Sequence, residues 1–178
     1  MTEWIENPEG DFEKQDAELK AFLRLASKLH KMYPRLPICI TADGLYPNQT
    51  FFSVCKKYNW RYIVTFKDGN LPSVWNEVKM LREITSDNSY KETKVIKKDR
   101  ICSKYTWINE IDYKGFWVNW IECIETTQQI ETQEEKTHRF GHLTNMEINR
   151  NKAAQISEGG RLRWKIENEG FNSQKNQG

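Results

Sequence analysis

The chain contains 178 residues, of which 38% are hydrophobic and 29% are charged, and its formal net charge is +2. This length is enough for one domain with its own core, and an aromatic content of 12% excludes an intrinsically disordered chain. No apolar run approaches the ~20 residues that a membrane-spanning helix needs, and the acidic N-terminus does not look like a signal peptide. We therefore expect a cytoplasmic protein without a membrane partner, in which any nucleic-acid binding depends on local basic patches.

Short helices and strands alternate in the first half of the chain. Apolar residues three and four apart predict an amphipathic helix over residues 16–33, which the prolines that follow would end. The run LPICITADG predicts a strand that is buried on both faces, and NQTFFSVCKKY predicts a helix after Pro47. WRYIVTFKDG predicts a second strand, and a third helix is predicted over residues 72–83. This order indicates a parallel α/β unit.

From residue 85 to about residue 137 the chain is dominated by aromatic, β-branched and polar residues. KYTWINEI and YKGFWVNWIECI predict two or three antiparallel strands that are inserted into the α/β unit. Trp107, Trp117 and Trp120 are predicted to pack this small sheet rather than to bind a ligand. The basic run KVIKKDR is more typical of a solvated loop than of a DNA contact.

The C-terminal part of the chain predicts a last strand and a long helix. HRFGHL is predicted to form the strand, and residues 145–174 are predicted to form the helix. Asn145 or Asn149 would cap this helix at its start, and the pair Gly159-Gly160 would weaken it.

Neither the cysteines nor the histidines have the spacing of a zinc site. The four cysteines include no C-x-x-C pair, which is typical of reduced structural thiols. Cys39 lies in an apolar run and is predicted to be buried. His138 and His142 would share a metal ion only if they lay on a helix, whereas on a strand they would merely share a face.

Asp43 is the first candidate for chemistry. In open α/β sheets, ligands gather beyond the carboxyl ends of the strands, and a carboxylate at that position suits a hard cation such as Mg²⁺. The alternative is that Asp43-Gly44 is simply a turn pair.

Glu167 is the second candidate, because Arg163 precedes it by four residues and would share its helix face. The two side chains would then form either an ordinary surface ion pair or a site in which Glu167 binds a metal ion. In the second case Arg163 and a nearby lysine would contact phosphates.

Four segments in this order resemble bacterial insertion-sequence transposases of the DDE class. They are DAELKAFLRLASKL, LPICITADGLYPNQTFF, NWRYIVTFKDGNLPSVWNEV and GGRLRWKIENEGFNSQKN. The resemblance is weakest over residues 85–137, and it implies an RNase H-like fold. That fold would consist of a partial core, an inserted antiparallel β segment and a long C-terminal helix. Residues 1–178 would then be one partial DDE catalytic domain.

The resemblance also implies which residues act. In this family three carboxylates bind two Mg²⁺ (or Mn²⁺) ions, and the second Asp, at the end of the fourth core strand, matches Asp43. The Glu lies on a late helix after an inserted β-rich segment and matches Glu167. The family signature around that Glu matches Arg163, which together with Lys175 would contact DNA.

The chain departs from the family pattern at several positions. Gly160 stands where the signature has a Tyr, and Gln174 stands where it has a Lys, with Lys175 one residue later. The first Asp of the family lies on the first of three strands before the first helix, whereas only residues 1–15 precede that helix here. We therefore expect a fragment that is truncated at both ends, with weak Mg²⁺ or Mn²⁺ binding and little or no strand cleavage.

The leading prediction is a transposase-like protein of a mobile element. The intact family nicks DNA at element ends and transfers strands by two-metal phosphoryl transfer. The alternatives are a non-catalytic regulator or remnant, which pairs with full-length transposase or with DNA, and an unselected product without function. An open sheet edge would favour such pairing or a homo-oligomer.

Overall fold

The computed structural model describes residues 14–85 and 87–165. Within these ranges it contains four helices and six strands. In chain order they are α1 (Lys14–Met32), β1 (Cys39–Ala42), α2 (Gln49–Lys57), β2 (Arg61–Thr65), α3 (Pro72–Ile84), β3 (Ser89–Ile96), β4 (Asp99–Tyr113), β5 (Phe116–Gln129), β6 (Glu135–Thr144) and α4 (Ala153–Lys165). None of the described helices is both long and apolar enough to cross a membrane.

The six strands form one mixed sheet in the order β1-β2-β6-β5-β4-β3. β1 and β2 are parallel, with α2 as the crossover between them, and every other pair of neighbours is antiparallel. The predicted α/β class and the predicted parallel unit are therefore confirmed.

Local sequence signals explain the ends of the helices in this unit. The side chain of Asn48 accepts a hydrogen bond from the Phe51 backbone N–H at 3.0 Å, so α2 begins just after Asn48 rather than at Pro47. α3 begins at Pro72, as predicted, because proline lacks the N–H that the first turn of a helix leaves unsatisfied.

The sheet separates two clusters of buried side chains. One cluster joins α1, α2 and α3 to one face and contains Phe51, Val64 and Trp120. The other joins the opposite face to α4 and contains Ile63 and Ile156. Since successive side chains of a strand point to opposite faces, neighbouring residues of β2 belong to different clusters.

The β-rich segment contains three strands, β3, β4 and β5, and β6 is the last strand predicted at HRFGHL, so both predictions are confirmed. The polar stretch TTQQIETQEEK does not interrupt the sheet, because it supplies the end of β5, a turn and the start of β6. KVIKKDR likewise forms the tip of the β3–β4 hairpin rather than a loop. The predicted burial of Trp107 and Trp120 is confirmed, but Trp117 is 66% exposed, so its predicted packing role is wrong.

Helix α4 begins at Ala153, eight residues later than predicted. The side chain of Asn149 accepts hydrogen bonds from the backbone N–H groups of Asn151 and Lys152, both at 3.1 Å, and thus caps the turn that leads into the helix. Asn145 instead bonds to the backbone of Trp60 and Tyr62, which fastens the end of β6 to the start of β2.

β1 is not buried on both faces as predicted. It lies at the edge of the sheet and has only four residues, of which Ala42 alone is buried. Cys39 is exposed, so its predicted burial is wrong, and all four cysteines are free thiols. An apolar run indicates a strand, but it does not indicate whether that strand lies at the centre or at the edge.

Candidate functional site

The carboxyl ends of β1 and β2 meet at one edge of the sheet. Asp43 directly follows β1, and Ala42 pairs with Val64, so Asp43 lies beside Thr65 at the end of β2. The amide side chain of Asn70 donates a hydrogen bond to the Gly44 carbonyl, which holds the two chain segments together beyond the strands. This edge is where ligands bind in parallel α/β sheets.

The Asp43 carboxylate takes part in a turn. Its Oδ1 atom accepts a hydrogen bond from the Leu45 backbone N–H at 2.9 Å, and the Asp43 carbonyl accepts one from the Tyr46 N–H at 3.3 Å. The turn interpretation is therefore observed. It does not use up the carboxylate, which has two oxygens and about four lone-pair positions, so a half-buried Asp43 retains capacity for a cation.

Strand alternation places Asp43 on the face of the sheet that carries α4. Thr41 pairs with Ile63, which packs in the α4 cluster, whereas Ala42 and Val64 belong to the cluster on the other face. Asp43 is two residues after Thr41 and so falls on the same side.

Helix α4 runs along this face toward the same edge. Gly159 lies against Ile63, and Gly160 lies against His142, which pairs with Thr65 at the end of β2. Arg163, one turn further on, borders a cleft together with Thr65. The structure therefore brings Asp43 and Arg163 to one edge and one face of the sheet, although their positions in the sequence are 120 apart.

Several predicted site positions lie beyond the part of the chain that the structure describes. Glu167 and Lys175 are among them, so their predicted roles remain predictions. Gly160, at the position of the family's Tyr, is described. A Cβ at this position would overlap the imidazole ring of His142, so a tyrosine would not fit there without displacement of that ring.

A cleft of about 720 Å³ opens between the end of β2, strand β6 and the C-terminal part of α4. Its described lining includes four basic residues and two acidic ones. The basic residues are Lys67, Arg139, Arg161 and Arg163, and the acidic residues are Asp68 and Glu125. The lining formed by these residues therefore carries a net positive charge at the edge where Asp43 lies.

Arg161 is held in a defined orientation inside this cleft. Its two terminal nitrogens donate to the two carboxylate oxygens of Glu125 at 2.8 and 3.0 Å, a bidentate arrangement. Its guanidinium also lies 4.2 Å from the centre of the Phe140 ring. Sequence reasoning missed Arg161, because its partners are on β5 and β6 and no short-range spacing connects them.

Arg139 belongs to a second charged cluster, which borders the cleft. It contacts the carboxylates of Glu122 and Asp68, and its guanidinium lies over the ring of Trp75. Glu122 is buried and also pairs with Arg82 of α3 at 3.1 Å. These contacts link α3, β5 and β6. The hydrogen-bond donors of Arg139 are therefore largely engaged with Glu122 and Asp68.

The two histidines of the H-x3-H pair lie on β6, the strand alternative, and share a face. His138 is exposed, whereas His142 is 3% exposed and lines the floor of the cleft. Burial, with a smaller contribution from the positive charge of Arg161, lowers the pKa of His142 to about 4. Among the described residues its Nδ1 atom has no hydrogen-bond partner, and no group of three or more His, Cys, Asp or Glu side chains is arranged to hold a metal ion.

Comparison with known proteins identifies no relative from which a function could be assigned. No protein-family model matches the chain, and no characterised protein is significantly similar to it.

Proposed function

We propose that this chain is part of a DDE transposase catalytic domain with an RNase H-like fold. It would act on DNA at the ends of a mobile element, by nicking and strand transfer. The observation that carries the proposal is that Asp43 and Arg163 lie at the same carboxyl edge of the parallel strands, on the face covered by α4.

The order of the elements supports the proposal. A helix precedes β1, α2 and β2 form a parallel crossover, a β-rich segment follows α3, and α4 returns to the opposite face of the sheet. The same order is expected for the second half of the family's catalytic core, with the second Asp after the strand that corresponds to β1.

The carboxylate of Asp43 is the kind of ligand that a divalent cation prefers, and Glu167 would supply a second one. Asp43 offers a half-buried carboxylate, and Glu167 follows Arg163 by four residues in the sequence, so these two carboxylates would hold Mg²⁺ or Mn²⁺. A bound ion of this kind supplies charge stabilisation to a phosphoryl group. The described cations of the neighbouring cleft would orient the phosphates of the substrate.

Titration of Mn²⁺ into the purified chain, followed by calorimetry and by melting temperature, tests the proposal. We expect saturable binding that Asp43→Asn and Glu167→Gln each weaken by at least about tenfold, since even changes outside the ligand shell have effects of that size. Asp112→Asn is the matched control. Asp112 accepts a hydrogen bond from the Gly115 N–H in the β4–β5 turn, much as Asp43 does from Leu45.

Two results would contradict the metal site. One is the absence of saturable binding. The other is binding that Asp112→Asn weakens as strongly as Asp43→Asn does, because this would indicate a general effect of turn carboxylates.

A second candidate function is a non-catalytic regulator that pairs with a full-length transposase. It is favoured by the outer edge of β1, since the strand CITA carries no charged side chain and no described strand pairs with its outer side. Unprotected strand edges of this kind recruit further strands.

A further inference from the structure

We infer that the cleft between α4 and β6 binds the phosphodiester backbone of a single DNA strand, with Arg161 as its principal contact. The inference rests on the proposed function and deepens it, because it names the surface that holds the strand next to the reacting phosphate. It assigns a substrate-binding role to Arg161 of α4, which the spacing around Glu167 did not indicate.

Charge is the first argument. The described lining has four basic residues against two acidic ones, and the whole chain carries a net charge of only +2. The described lining therefore has an excess of positive charge, which favours the binding of a polyanion. The cations also lie at the sheet edge that carries Asp43, so a strand bound along β6 would lead into the proposed metal site.

The size of the cleft selects a single strand. Its floor is formed by the β6 segment that includes Gly141 and His142, and one wall is the C-terminal part of α4. A volume of about 720 Å³ is typical of sites for small molecules, and it admits a few linked groups but not a duplex.

The ion pair between Arg161 and Glu125 carries the inference furthest. The guanidinium of Arg161 lies over the ring of Phe140. Glu125 forms the bidentate hydrogen bonds that a phosphate would otherwise form with this guanidinium. A carboxylate in that position orients Arg161 in advance but competes with a phosphate for the same N–H groups. Removal of the two partners should therefore change anion affinity in opposite directions.

Fluorescence anisotropy with a short labelled oligonucleotide, measured in EDTA across a range of salt concentrations, tests this inference. We expect Arg161→Gln to weaken single-strand binding about 3- to 10-fold and to reduce the salt slope by about 0.7, the value for one lost phosphate contact. Glu125→Gln is expected to strengthen binding by about threefold, because it removes a competing negative charge next to the bound strand. The matched controls are Lys79→Gln and Glu83→Gln on α3, which is on the other face, and they should change affinity little.

Three results would overturn the inference. Parallel weakening by Arg161→Gln and Glu125→Gln would indicate that the pair only stabilises the fold, and melting curves of both variants would show the loss. A mononucleotide or inorganic phosphate that binds as tightly as the oligonucleotide would indicate a small-anion site. Duplex DNA that binds as tightly as the single strand, with the α3 controls equal to the cleft variants, would indicate a non-specific surface.

The experiment also separates this inference from the proposed function, because EDTA removes the metal ion. Cleft-dependent DNA binding without any Mn²⁺ binding would contradict the metal chemistry alone. Mn²⁺ binding that requires Asp43, together with DNA binding that ignores Arg161, would contradict the cleft alone.

Discussion

At the scale of single residues, the packing of α4 on the sheet buries His142 and lowers its pKa. Its ring is buried between β6 and Gly160, with Arg161 nearby, and the pKa of the imidazole falls from 6.5 to about 4 because burial penalises the charged form. The folded chain therefore keeps this histidine neutral over a pH range in which the unfolded chain protonates it.

We predict that His142 makes folding stability depend on pH below neutrality. The unfolded chain binds a proton near pH 6.5 and the folded chain only near pH 4, so the stability contribution is complete above pH 6.5 and declines as the pH falls toward 4. The full loss is about 3 kcal/mol, at about 1.4 kcal/mol per pH unit. Free energies of unfolding in urea, measured at several pH values, check this prediction.

The comparison that isolates His142 uses two variants. His142→Gln should flatten the pH dependence between pH 6.5 and 4, whereas His138→Gln, on the same strand and face but exposed, should retain the slope of the parent chain. An unchanged slope in His142→Gln would assign the pH dependence to other groups.

Arg161 and Arg163 show how differently two neighbouring residues can be read from sequence. The family signature and the spacing to Glu167 predict that Arg163 contacts DNA. Arg161 carries no such signal, yet Glu125 and Phe140 both contact it. A bidentate partner 36 residues away is visible only in the folded chain.

At the scale of elements, α4 continues through Gly159 and Gly160 without interruption. These glycines were predicted to weaken the helix, and the structure adds the reason for their presence. Gly159 lets Ile63 approach, and Gly160 lets the helix lie directly on the His142 ring. At Gly160 this close contact depends on the absence of a side chain, because the His142 ring occupies the space that a Cβ would need.

We predict opposite effects for alanine at these two positions. Gly159→Ala should change stability little or increase it by up to about 1 kcal/mol, the usual gain in helix propensity, because the Cδ1 atom of Ile63 that it meets can rotate away. Gly160→Ala should destabilise the chain by about 1–3 kcal/mol, because the buried His142 ring has no room to move. Urea denaturation of both variants measures the difference, and equal effects would show that the His142 contact is not tight.

At the scale of the whole molecule, the sheet has two unlike edges. β3 at one edge carries charged residues such as Lys91 and Glu92, which protect a strand edge against pairing. β1 at the other edge has none. The molecule therefore offers one sheet edge that favours association and one that opposes it.

We predict that the chain self-associates through β1. Cys39→Lys places a charge on the exposed end of this strand without removing a core side chain, and it should weaken association by at least about tenfold, because like charges would then face each other. Val95→Lys, at an exposed position of β3, is the matched control and should have no effect. Sedimentation equilibrium in reducing buffer checks the prediction, and a monomeric parent chain would contradict it.

The sequence by itself determined most of the local structure. Periodic apolar residues, prolines, helix caps and β-branched runs act over a few residues, and α1, α2, α3, β1 and β2 follow them within a few positions. The same signals identified an antiparallel segment and a last strand, but they underestimated the lengths of β4 and β5, because exposed polar residues at the end of a hairpin resemble a loop.

Only the tertiary structure decided which strands and side chains became neighbours. β6 pairs with β2 across more than 70 residues of sequence, and this pairing places Thr65 beside His142 and brings α4 over the end of the parallel strands. Strand alternation indicates which face a side chain occupies but not which strand lies next to it. The proximity of Asp43, Arg163 and the basic cleft is for this reason a property of the folded sheet, since the contacts that create it join residues that are distant in the chain.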